Sequence, residues 1–245
     1  RAGACANRGA PRATGRVTRW LIWVATPLLA LAALAALALW APLPTLNLIA
    51  RVAGGFDVRA DVPYGPLPRQ RLDVYTPRGT APAGGWPMVV FFYGGSWNNG
   101  ARADYAFVGA ALASHGALVL VADYRLYPEV RYPDFLADSA QALAYGLKEA
   151  SRLGADPKRV YVMGHSAGAY NAAMLALDPR WLTATGHAPT ELAGLIGLAG
   201  PYDFFPTDDR DAQPVFFHPN YPVGAQPIEH ASAGVLAFIG AGTPR

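Results

Sequence analysis

One cysteine, Cys5, is all that 245 residues contain, so neither an intrachain disulfide nor a cysteine-ligated metal cluster can be built. Charge is scarce too, at 15% of residues against 52% hydrophobic. No acidic residue accompanies the arginines at positions 1, 8, 12, 16 and 19. Setting those five aside leaves 15 basic against 17 acidic residues, a net of −2, so the formal charge of +3 belongs to the tail. No nucleic-acid partner is implied. No internal repeat is present, and no cofactor or metal is expected. The chain starts with Arg1 instead of methionine, and "RAGACANRGAPRATG" combines low complexity with helix breakers. Residues 1–19 read as a disordered basic tail.

The excess of apolar residues has a local source. Trp20 to Trp40 reads "WLIWVATPLLALAALAALALW" without a charge, and as a helix it spans roughly 30 Å, the thickness of a bilayer core. The arginines ahead of it place the N-terminus in the cytoplasm, and Trp20, Trp23 and Trp40 suit interfacial anchors. A single-pass membrane helix is therefore expected over 20–40, with the domain beyond it on the extracytoplasmic side. A cleaved signal peptide is the alternative, but the run exceeds the usual ~7–15-residue signal core. The proline- and glycine-rich stretch over 41–56 reads as a linker.

Residues 57–245 suit one α/β domain with a full hydrophobic core. "RLDVYTP" alternates like a half-exposed strand, whereas "MVVFFYGG" and "ALVLVADY" are continuous apolar runs typical of buried strands. Asp104 to His115 has helical spacing and stops at Gly116, which completes a βαβ unit. A second crossover follows, with Asp134 as N-cap and Gly154 as the stop. "DPKRVYVMG", "ELAGLIGLAG" and "GVLAFIG" continue the alternation. The expected architecture is a mostly parallel sheet with helices on both faces.

"VMGHSAG", residues 162–168, carries the strongest chemical signal. A strand from Arg159 to Met163 and a helix from Ala167 to Leu177 meet at Ser166, which has Gly164 and Gly168 at i−2 and i+2. A sharp strand-to-helix turn strains the serine backbone, crowds its neighbours and exposes the hydroxyl above the sheet. The helix also aims its positive end at the reaction centre, so the Ala167 N–H becomes an oxyanion donor. A second donor should come from "YGGSWNNG" after the preceding strand, where Gly94 and Gly95 can present N–H groups.

Four ordered blocks, "FFYGGSW", "ADYRLYPEVRYPDFLAD", "DPKRVYVMGHSAGA" and "GPYDF", make the chain resemble the α/β-hydrolase family. The likeness is to its esterase and lipase branch, with carboxylesterase-like and aryl-formamidase-like features, over roughly Asp73 to Gly240. Tyr93 stands where that family usually has histidine; there the residue braces the loop, and tyrosine can donate a comparable hydrogen bond. The resemblance implies an acyl-enzyme on Ser166, a small-molecule ester substrate, and a triad in the chain order Ser, Asp or Glu, His.

The same resemblance puts the acid just after the strand "GVLAFIG", at about Thr243 or Pro244, and the histidine beyond the last residue. Both are expected to be missing, as in a truncated chain, leaving it nearly inactive. His187, His218 and His230 precede that strand, His165 is expected to point to the other side of the elbow, and His115 lies near a helix end. Asp203 in "GPYDF" fits a structural or substrate-adjacent place, though Asp203 with His230 keeps the chain order of a triad. The alternatives are a non-catalytic binding module, an amide hydrolase and acyl transfer.

Overall fold

The structure, a computed structural model, describes residues 14–231. They fall into two units, one ending at Leu46 and the other beginning at Asn47. The first unit is dominated by helix α1 (Thr14–Trp40), which carries Pro27 inside it. Trp23, Leu28, Leu29, Leu31, Leu39 and Trp40 are exposed along it. Among the described residues no helix is long and apolar enough to cross a membrane. The membrane span expected over 20–40, and the membrane partner drawn from it, therefore gain no support here. Most of the tail assigned to 1–19 lies outside the described residues, and α1 already begins at Thr14.

Within the expected linker, Pro42–Ala53 forms helix α2. Proline is tolerated in a first helical turn, where its missing N–H would have had no intrahelical acceptor. Asn47, the first residue of the second unit, ties this helix down. Its Nδ2 donates to the Ala103 and Asp104 carbonyls at 2.9 and 3.2 Å. Its Oδ1 accepts the Phe107 N–H at 2.7 Å.

The second unit is built on a six-stranded sheet. Its strands are β1 (Phe56–Pro63), β2 (Arg71–Pro77), β3 (Trp86–Phe92), β4 (Leu118–Ala122), β5 (Ala155–His165) and β6 (Gly194–Leu198), in the spatial order β1-β2-β4-β3-β5-β6. β2 runs antiparallel to β1 and β4, and the other pairings are parallel. Helices α3 (Ala106–Ser114), α4 (Asp134–Glu149), α5 (Ala167–Leu177), α6 (Pro179–Thr183) and α7 (Ala212–Val215) complete it. A turn of 3₁₀ helix over Arg102–Tyr105 precedes α3, where one continuous helix is expected. Asp134 is the first residue of α4 and not its cap, a position that complements the helix dipole.

The two continuous apolar runs occupy the sheet centre. Val90 of β3 pairs with Leu120 of β4 on one side and Val162 of β5 on the other, and all three are fully buried. Each such side chain contributes roughly 1.5–3 kcal/mol through removal from water. The strand expected at "GVLAFIG" lies outside the described residues, so among these β6 is an edge strand, as β1 is on the other side.

The "DYRLYPE…D" block acts as a clamp between β4 and α4. Asp138 is fully buried on α4 and accepts the N–H, Nε and NH2 donors of Arg125 at 2.9, 2.8 and 2.9 Å. Gln70 adds a fourth bond to this carboxylate at 2.9 Å. Removing the acid leaves a partly buried guanidinium without its partner. Asp138→Ala is therefore expected to cost about 3–5 kcal/mol. A lower urea midpoint with an unchanged slope would register it, whereas a loss below about 1 kcal/mol would mean the clamp contributes no more than one ordinary hydrogen bond.

Candidate active site

Ser166 stands between the last residue of β5 and the first of α5, with φ 52° and ψ −121°. That left-handed region is costly for a residue with a Cβ and persists only where the surroundings enforce it. They do so from both sides. The Ser166 N–H donates to the Leu198 carbonyl at the end of β6, 2.8 Å away. Its own carbonyl accepts the N–H groups of Ala169 and Tyr170 at 2.9 and 3.1 Å. The flanking glycines answer a shortage of space. A Cβ on Gly164 would lie 2.1 Å from the Gly168 oxygen, and one on Gly168 would lie 2.1 Å from the Phe92 oxygen.

The loop after β3 faces this elbow. A Cβ on Gly94 would come within 2.8 Å of the Ser166 Cβ, so the loop backbone packs directly on the serine. Tyr93 anchors the loop's start. It is fully buried, stacks on Tyr124 at 4.8 Å between ring centroids, and accepts a 2.7 Å bond from Arg69 NH2. The Tyr93 carbonyl in turn accepts the Tyr124 hydroxyl at 2.8 Å. Burial, with the Asp123 carboxylate adding to it, drives the Tyr93 phenol upward, so it stays protonated and acts only through hydrogen bonds.

The loop's far end is held by Trp97. This residue is 2% exposed, donates through Nε1 to Asn171 Oδ1 at 2.9 Å, and meets Tyr170 and Phe216 edge-on at 5.1 and 4.7 Å. Ser96 and Trp97 both have positive φ, 46° and 58°. With both ends fixed, the loop's N–H groups are set before any substrate arrives.

A cavity of about 280 Å³ opens at this junction. Ser166, Ala167, Ser96, Trp97, Ala199, Pro201, Phe204, Thr207, Asp209 and Ala212 line it. Gly94 and Gly95 do not. Burial pushes the Tyr105 phenol up, and the Gly94 backbone opposes that push. The donor side of the cavity thus includes Ser96, which the sequence reading passed over. Its signal was its place directly after two glycines in a turn. Among the described residues, neither the Ser96 nor the Ala167 N–H has a protein acceptor. A larger groove of about 740 Å³ runs between α4 and α6, but Ser166 does not line it.

All five histidines of the sequence are described, and each has partners other than Ser166. His165 Nδ1 is 3.2 Å from the Tyr105 hydroxyl. His230 Nε2 is 3.0 Å from the Gly224 carbonyl and 3.7 Å from Asp178, which follows α5. The 11 residues of α5 separate Asp178 from the elbow, and at ~1.5 Å per residue they cover about 16 Å. His218 meets Tyr221, His187 meets Glu191, and His115 meets the Ala111 carbonyl. Asp203 is exposed and does not line the cavity. The geometry does not bring Asp203, His230 and Ser166 together. The expected acid position at Thr243 or Pro244 lies outside the described residues.

A mixed sheet in this order, with a serine at a strained strand-to-helix turn opposite a glycine loop, defines the α/β-hydrolase fold. Within it, the chain belongs to the BD-FAE family, whose model matches residues 72–226. It is 34% identical over 158 residues to an isoprenylcysteine alpha-carbonyl methylesterase of Arabidopsis thaliana, covering 63% of this chain and 36% of that protein. Against esterase LipC of Mycobacterium tuberculosis the identity is 32% over 151 residues, covering 60% and 37%. Among solved structures, a bacterial heroin esterase superposes with a TM-score of 0.52 at 29% identity, over 61% of this chain and 46% of that one. The chain thus spans little more than a third of the length of these two curated relatives.

Proposed function

We propose that the chain carries the nucleophile and oxyanion half of a carboxylic ester hydrolase, with Ser166 forming the acyl-enzyme. The observation that carries this reading is the strained Ser166 at the wall of a cavity it shares with the Ser96 and Ala167 backbone. The serine Oγ attacks the ester carbonyl, and the carbonyl oxygen gains negative charge. The Ala167 N–H at the start of α5 and the Ser96 N–H stabilise that charge. The Ser166 proton passes to solvent, collapse of the tetrahedral intermediate expels the alkoxide, which takes a proton from water, and a second water cleaves the acyl-enzyme to release the acid and restore the serine hydroxyl. Relatives named as esterases support the choice of an ester.

Among the described residues no histidine is bonded to Ser166, and we read the chain as lacking a base for its proton. This chain is therefore expected to turn over esters no faster than an oxyanion hole and binding alone permit, ~10³–10⁴ over water. The test is exposure to a fluorophosphonate probe followed by peptide mapping. Slow modification confined to Ser166 is the expected result. Modification at another residue overturns the assignment, and its complete absence favours a non-catalytic binding module.

A membrane placement is proposed from the sequence alone: an uncharged run over 20–40 behind five arginines, with the domain on the extracytoplasmic side. In expressing cells the full-length chain is expected to resist carbonate extraction. Recovery of a protein that starts near Ala41 would show a cleaved signal peptide instead.

A further inference from the structure

The cavity beside Ser166 is uncharged along its described lining except at one place. Ser96, Thr207 and Ser166 contribute neutral hydroxyl side chains, and Trp97, Ala167, Ala199, Pro201, Phe204 and Ala212 present apolar ones. Asp209 is the exception. Its position is set by the local backbone. The Asp209 N–H donates to Thr207 Oγ1 at 3.2 Å, its Oδ1 accepts the Asp211 N–H at 2.9 Å, and its carbonyl accepts from Ala212 and Gln213 at the start of α7. Among the described residues it forms no ion pair, not even with its chain neighbour Arg210.

The buried carboxylates of this unit are paired, whereas Asp209 is exposed. Asp73 and Asp123 are paired with Arg102, Asp138 with Arg125 and Asp178 with Arg180. Asp209 instead leaves its charge at the cavity. Phe204, which lines the same wall, stacks on Trp97 at 5.9 Å between centroids. A carboxylate next to aromatic walls is the environment that recognises an organic cation, through ion pairing and through attraction to ring faces. It also disfavours an anion, because a second negative charge would be held against Asp209. The volume of about 280 Å³ suits a small group rather than a long chain.

We propose that Asp209 is a specificity-determining residue that selects small esters bearing a positive charge, such as an ammonium group on the alcohol or acyl part. The proposal rests on the ester-hydrolase reading of Ser166 for its reaction, but not for its ligand. Since Asp209 is exposed, solvent screens it, and the expected preference is modest, about threefold to fivefold.

Two measurements test it on the full 245-residue chain. The first compares kcat/KM for acetylcholine and 3,3-dimethylbutyl acetate, which have the same shape and differ by one charge. The ratio is expected to favour the cation and to fall about threefold to fivefold in Asp209→Asn. It should stay unchanged in Asp203→Asn, a carboxylate outside the cavity. The second needs no turnover: phenyltrimethylammonium is titrated by ligand-observed NMR, and Asp209→Asn is expected to weaken binding by the same factor. Equal affinity of wild type and Asp209→Asn for this cation overturns the proposal, as does an Asp203→Asn loss as large as that of Asp209→Asn. If neither ester is cleaved and Ser166 takes no fluorophosphonate, the ester-hydrolase reading fails, while the cation titration still decides the role of Asp209.

Discussion

Ser166→Ala is expected to lose fluorophosphonate uptake while keeping its fold and the slow ester cleavage that an oxyanion hole alone supplies. The fold survives because alanine also carries a Cβ, so the strain at φ 52° is not relieved or increased. The bonds that enforce that strain are backbone bonds, from Ser166 N–H to Leu198 and from Ala169 and Tyr170 to the Ser166 carbonyl. Only Oγ is removed. The wild-type chain is expected to cleave p-nitrophenyl acetate at the level an oxyanion hole supplies without a base, ~10³–10⁴ over water. The variant should keep a rate in that range, because the Ala167 and Ser96 N–H groups survive the change, with an unchanged circular dichroism spectrum. A wild-type rate far above that range, lost in the variant, would place a base within the 245 residues. Equal fluorophosphonate uptake by the two proteins would remove Ser166 from the chemistry.

What could be read in advance follows a physical division. β3 and β4 were legible because a strand covered on both faces has only apolar side chains, and short runs rich in β-branched and aromatic residues and bounded by turn residues read as strand and not as buried helix. The elbow was legible because two glycines at i−2 and i+2 mark where backbones nearly touch, here Gly164 against Gly168 and Gly168 against Phe92. Ser96 was marked only by its place after Gly94 and Gly95; its φ of 46° was not legible, since the next residue, Trp97, is anchored on Asn171, 74 residues away. α2 was hidden by Pro42 and Pro44, read as breakers although a first helical turn accepts them. The pairing of His230 with Asp178 likewise depends on where the chain returns after α7, which no local pattern encodes.

Gly168→Ala is expected to be among the most damaging single-methyl changes in the domain, alongside Gly164→Ala. Its Cβ would sit 2.1 Å from the Phe92 oxygen, 2.4 Å from the Phe92 carbonyl carbon and 2.5 Å from the Tyr93 oxygen. All three are backbone atoms, so no side-chain rotation can relieve the clash. Moving α5 away would pull on Ser166. Moving the end of β3 would displace Tyr93 from its stack on Tyr124 and loosen the loop that carries Ser96. The cost is expected to reach about 3 kcal/mol or more, the range of severe overpacking. Gly186→Ala provides the contrast. Gly186 has φ 82° and nothing within 4 Å of the added methyl, so only left-handed strain opposes it, about 1–2 kcal/mol. Urea unfolding of both variants would separate close approach from backbone strain. If Gly168→Ala unfolds at the wild-type midpoint, α5 does not press on β3, and the argument that packing holds Ser166 in its strained conformation fails with it.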